Sequence, residues 1–144
     1  MKKRIWLLAT ALLLSLTVCS CAGNAPAAGD DGNAPSAGVT MLAEGVWHVN
    51  EYTEGLPVPA GTVAWTMLDS AHRSCSIHLA GVSEADHDQY LALLKQKGFS
   101  VVEGVTEEIE GQGYLSVGTL LSNGEKGLSI SYVPDSLTLY ISME

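Results

Sequence analysis

The segment HRSCSIH sets His72, Cys75 and His78 at three-residue intervals, and imidazole and thiolate are ligands that zinc sites use. The same residues could supply a nucleophile and its base, because Cys75 attacks only as a thiolate and an adjacent imidazole can take the proton. Either chemistry depends on the element that carries the segment. On a β-strand successive side chains point to opposite faces, so His72 and His78 share a face only if the strand extends that far, while Cys75 points the other way. That parity sets Cys75 beside Ile77 and Leu79, where it reads as a small buried hydrophobe. His72 and His78 are left as weak metal candidates without a third ligand, and His72 reaches the thiol only through a local twist.

Two acid clusters, EADHD and TEEIEG, offer carboxylates to calcium, yet neither has alternating oxygen ligands around a central glycine. Glu84, Asp86 and Asp88 fall in the first turn of a predicted helix, where the dipole favours negative charge without any ligand. His87, near the Leu91 and Leu94 side of that helix, reads as a boundary residue. The chain has no glycine-rich phosphate loop, no G-x-S-x-G elbow and no H-E-x-x-H pair. No catalytic residue is assigned and no cofactor is expected.

The elements that must position these residues begin near residue 44. EGVWHVNEY alternates so as to form a short lead-in strand with Trp47 and Val49 on one face, and the two prolines of LPVPAG impose an extended crossing after it. TVAWTML and RSCSIHLA alternate as half-buried strands joined by a short turn. VSEADHDQYLALLKQKGF then changes period. Ser83 with Asp86 forms a capping-box pattern, Gly98 suits a left-handed C-terminal cap, and Tyr90, Leu91 and Leu94 make the apolar stripe.

Phe99 and Val101 open a third strand that runs into the acidic loop. YLSVGTLLSNGEKGLSISYV is a hairpin signature around Asn123-Gly124, Val133-Pro134-Asp135-Ser136 predicts a type I turn, and LTLYISM alternates to the end. The expected fold is α+β, a single antiparallel sheet of about five to six strands in the order ββαββββ with one helix packed on one face. The serine-rich outer faces of the second and fifth strands predict that the far side of this sheet is wet.

Ahead of this domain, Lys2-Lys3-Arg4 and IWLLATALLLSLTV read as the basic and apolar regions of an export signal, too short to favour a stable membrane span. The run ends in LTVCSCAG, which resembles the lipobox of bacterial lipoproteins, where a cysteine takes a diacylglyceryl group on sulfur and becomes the first mature residue. Cys21 follows the small Ser20 and has Val18 three residues before it, whereas Cys19 follows the β-branched Val18. Cys21 is therefore the preferred lipidation site and Cys19 the second choice. Cleavage there leaves Cys75 without a partner for a disulfide.

AGNAPAAGDDGNAPSAG has almost nothing apolar to bury, so residues 21–43 are expected to be a disordered linker between a signal at 1–20 and the domain at 44–144. About twenty such residues reach roughly 25 Å, enough to lift a domain off the headgroups.

The formal net charge of −9 conceals an asymmetry, since all residues after Arg4 carry four bases against sixteen acids. A surface of that sign repels phosphate backbones and anionic lipid headgroups, which excludes nucleic acid as a partner and electrostatic docking on a membrane. The partners that remain are the bilayer itself, through covalent lipid, and an envelope protein or peptide.

LPVPAG ahead of the first regular strand, YLALLKQKGF closing the helix, and the terminal strand pair resemble a family of uncharacterised bacterial lipoproteins, over Trp47 to about Ser142. The resemblance implies a surface-anchored α+β module and brings no assigned activity. The sequence thus points to an exported protein, lipid-anchored at the outer face of a bacterial cytoplasmic membrane or at an outer membrane, which displays a non-enzymatic binding or scaffolding domain. The alternative is an envelope-associated hydrolase or metal-dependent enzyme built from residues distant in sequence.

Overall fold

The computed structural model describes residues 38–144. The expected signal at 1–20, Cys19, Cys21 and the linker as far as residue 37 lie outside the described residues. From there the elements are β1 (Val39–Leu42), β2 (Thr62–Asp69), β3 (Ser74–Ala80), α1 (Glu84–Gln96), β4 (Ser100–Glu108), β5 (Leu115–Ser122), β6 (Lys126–Val133) and β7 (Ser136–Met143). The strands form one sheet in the order β1-β2-β3-β7-β6-β5-β4, antiparallel at every pairing. Alternating directions along that order make β3 and β4 parallel, so α1 is the crossover from mid-sheet to the far edge. The chain then returns as a meander, and β7 closes the sheet between β6 and β3.

The α+β architecture with one helix on one antiparallel sheet is as expected, but the sheet has seven strands, in the order βββαββββ. The additional strand is β1, which lies in the last residues of the expected linker and pairs Val39 with Asp69 and Met41 with Met67. The expected lead-in strand at EGVWHVNEY is instead a turn-rich loop. There the Asn50 side-chain carbonyl accepts from the Tyr52 and Thr53 amides at 2.9 and 3.1 Å, Trp47 packs against the core, and Val49 is 76% exposed. Local hydrogen bonding by an asparagine side chain competes with a strand ladder, and here it prevails.

The helix forms where its caps dictate. Ser83 Oγ accepts from the Asp86 amide at 3.2 Å while the Asp86 carboxylate accepts from the Ser83 amide at 3.1 Å, which satisfies two amides that the helix itself leaves unpaired. Donation from the Ser83 hydroxyl, and then from the Ser83 amide, holds the Asp86 carboxyl below its usual range. At the other end Gly98 takes φ +91, and the Phe99 amide donates to the Leu94 carbonyl. Leu94 and Tyr90 are buried as expected, but the third buried position is His87, not Leu91.

The side of the sheet that α1 covers is mainly aliphatic. Across it Ile77, Leu139 and Ile130 stand in register, as do Cys75, Ile141 and Leu128, and all six are 0–1% exposed. Fully burying one such side chain stabilises the fold by roughly 1.5–3 kcal/mol. The loop over residues 43–61 adds Tyr52 and Leu56 to this core and is tied down by Lys126, whose Nζ donates to the Tyr52 and Glu54 carbonyls at 3.0 and 2.8 Å. The loop enters β2 through Gly61 at φ +98, where a Cβ would lie 2.7 Å from the Ala80 carbonyl oxygen. Glycine is required there on both counts.

The turn between β6 and β7 departs from expectation. Asp135 has φ +68, the left-handed residue that follows proline in a type II turn, so Val133-Pro134-Asp135-Ser136 is not type I. Aspartate tolerates that conformation, and Val133 pairs directly with Ser136.

Candidate functional site

His72, Cys75 and His78 are dispersed. His72 sits in the turn before β3, fully outside the strand, with Nδ1 2.7 Å from the Asp69 carboxylate. Asp69 also accepts from the Ala71 and His72 amides at 3.1 Å each, and the His72 hydrogen bonds hold its carboxyl below the usual range. This is a turn-closing carboxylate. No hydroxyl or thiol hydrogen-bonds the other nitrogen of His72 among the described residues, so the pair lacks a nucleophile.

Cys75 faces the core, opposite Leu68 and Ile141. Burial pushes its thiol up to about 11, so it is a neutral, inert group near pH 7. His78 lies on the opposite side of β3 and stacks on Trp65, with ring centroids 5.5 Å apart. Its Nδ1 shares a hydrogen bond with Thr138 Oγ1 at 3.0 Å, and its Nε2 one with Ser136 Oγ at 3.4 Å. Both nitrogens therefore have hydroxyl partners that a metal would have to displace. Among the described residues no three His, Cys, Asp or Glu side chains come together as a metal site.

His87 is the histidine that sequence reasoning misplaced. It is 3% exposed and stacks on Tyr132 at 4.9 Å, on the helix-covered side of the sheet. Beside Leu91 and Leu94 it reads as a boundary residue, whereas its spacing to Tyr90 and Leu94 is the i, i+3, i+7 signal of a buried stripe. A cleft of about 520 Å³ lies near the C-terminal end of α1, bounded by Glu54, Leu56, Lys97, Phe99 and Lys126 among others. None of the expected site residues reaches it, and Lys126 is already committed to two carbonyls.

What the strands do assemble is a broad uncovered face. One row runs in unbroken register across the whole sheet: Met41, Met67, Ser76, Tyr140, Ser129, Leu120 and Glu103. The adjacent row is Trp65, His78, Thr138, Ser131, Gly118 and Val105. Met41, Val105, Tyr140 and Leu120 are 57, 50, 44 and 40% exposed. The expectation of a wet, serine-rich far side is met, but aromatic and methionine side chains are set among the hydroxyls.

The charge on this face is all negative, and Glu144 Oε1 reaches it to accept from Ser122 Oγ at 2.7 Å. All the acids but Asp30 and Asp31 belong to the described residues, yet the strand positions facing this side hold only Asp69, Glu103 and Glu107. Depletion of charge together with Met, Trp and Tyr is the composition of a protein-binding surface. A hydroxyl-bearing sheet face offers contact area and hydrogen bonds. No family model matches the chain, and no curated protein matches it.

Proposed function

We propose that the protein is an exported bacterial lipoprotein, anchored through Cys21, whose folded domain is a binding or scaffolding module that meets its partner with the uncovered side of its sheet. The observation that carries this reading is the seven-strand-wide uncovered face, where Met41, Trp65, Met67 and Tyr140 are set among hydroxyls and the charged side chains at strand positions are three carboxylates with no base. The dispersal of His72, Cys75 and His78 into a turn, the core and a hydroxyl-bonded stack supports it from the other side. Two acyl chains would hold the mature N-terminus on a bilayer essentially permanently, so the domain would act on what lies within the reach of its tether.

Two measurements test the two halves. Mass analysis of the protein from washed membranes should find a diacylated Cys21, Cys21→Ala should free the protein from those membranes, and Cys19→Ala should not. Release of the unsubstituted protein by salt alone overturns the anchor. A photoreactive phenylalanine analogue in place of Tyr140 should give discrete crosslinked products in intact cells, while the same analogue in place of Lys95, on the helix, should give none. Equal yields from the two positions overturn the assignment of the face.

A further inference from the structure

The sheet ends differently on its two sides. The edge strand β1 has four residues, whereas β4 has nine, and every one of the nine is exposed. Among the described residues nothing pairs with the outer side of β4, so its outward N–H and C=O groups form a free template for another strand. Val101, Val102 and Val105 are 46, 63 and 50% exposed along it. A bulge at Val102 separates the first residues of β4 from a regular stretch, Glu103 to Glu108. On the uncovered face that stretch presents Glu103, Val105 and Glu107 in succession, opposite Leu120, Gly118 and Ser116.

The strand behind this edge is shaped to leave room. Gly118 carries no side chain, and a Cβ there would lie 2.9 Å from Val105 Cγ1, so Val105 lies back over the gap. A hollow of about 250 Å³ remains beside it, bounded by Glu103, Val105, Leu120 and Ser129.

We infer that β4 takes up an extended cationic peptide segment as an additional antiparallel strand, with basic side chains opposite Glu103 and Glu107 and an apolar one opposite Val105. Backbone groups supply the attachment, and the acid-apolar-acid row selects the sequence. A second copy of this chain fits poorly, because antiparallel self-pairing centred on Val105 sets Glu103 against Glu107 twice. The four bases of the described residues, Arg73, Lys95, Lys97 and Lys126, all lie outside β4 and β5, so the domain itself does not neutralise the row. The inference rests on the reading of the domain as a binding module and is independent of the lipid anchor.

The test uses the full chain in non-ionic detergent and a fluorescent heptapeptide, Thr-Lys-Thr-Val-Thr-Lys-Thr, followed by anisotropy. Saturable binding is expected, weakened about tenfold or more by the double substitution Glu103→Lys/Glu107→Lys, and recovered on that variant by Thr-Glu-Thr-Val-Thr-Glu-Thr. Two N-methylated forms of the lysine peptide separate strand addition from plain charge attraction. In an antiparallel pair only alternate residues direct their N–H toward the neighbour, so methylating one alternate set should abolish binding and methylating the other should leave it intact. Equal binding of the two methylated peptides, or no recovery by charge exchange, overturns the inference. If no peptide binds while Tyr140 still gives discrete crosslinks, the strand inference fails and the module stands; if both fail, both readings fall.

Discussion

Two faces of one sheet, built from alternate residues of the same strands, have opposite physics. Leu137, Leu139 and Ile141 of β7 are 0% exposed under α1, while Tyr140 between them is 44% exposed on the other side. On the covered face the side chains are mostly aliphatic, with Thr66, Cys75, Thr119 and Tyr132 buried among them. On the open face hydroxyls alternate with a few large groups, and the polar atoms of His78 are satisfied by Thr138 and Ser136. The first face determines whether the domain folds; the second is free to be shaped by what it touches.

The comparison breaks most visibly within β7. Leu139→Ala should cost about 2–5 kcal/mol of unfolding free energy, and Tyr140→Ser about 0.5 kcal/mol or less, read by urea denaturation of the two variants. Similar losses from the two would mean that the open face is covered after all. Gly61→Ala comes next, since a Cβ there meets both a positive φ and the Ala80 carbonyl at 2.7 Å; it should cost about 1–3 kcal/mol in the same assay.

Smaller is the effect of Ser83→Ala, about 1 kcal/mol for the lost cap. It also changes the acid response. Because the folded-state carboxyl of Asp86 lies below its ordinary value, the cap contributes above that ordinary value and its contribution is lost as pH falls through the folded one. Ser83→Ala should therefore show a shallower loss of stability in acid than the parent.

Cys75 gives the opposite sign. Its folded thiol titrates near 11 because burial raises it from an ordinary 9.0, so the stabilisation from keeping it protonated is full below 9.0 and declines as pH rises toward 11. Alkylation by iodoacetamide at pH 8 should be negligible for Cys75 in the native protein and rapid in urea. Ready labelling in the folded state would place the thiol at the surface.

Much of the fold was legible in the sequence, and the failures share a cause. α1 was readable because Ser83, Asp86 and Gly98 punctuate it locally, and the β5–β6 hairpin because Asn123 caps its own turn, accepting from the Glu125 and Lys126 amides. β1 was not, since four residues without charge or length carry no period and exist as a strand only through Met67 and its neighbours, far along the chain. The lead-in segment alternated as a strand would, but the Asn50 side chain outcompeted the ladder. The alternation of serine with leucine and isoleucine did predict an open, hydroxyl-rich side. That Met41, Trp65 and Tyr140 converge there depended on strand order, which local patterns do not contain.

The place of β7 in the sheet also governs when the molecule can exist. Ser136–Met143 is the last strand in chain order, yet it holds β3 and β6 together, and the Thr138 hydroxyl meets a histidine 60 residues upstream. Until β7 is delivered, β1–β3 and β4–β6 have no strand between them, so the single seven-stranded sheet closes only when β7 arrives.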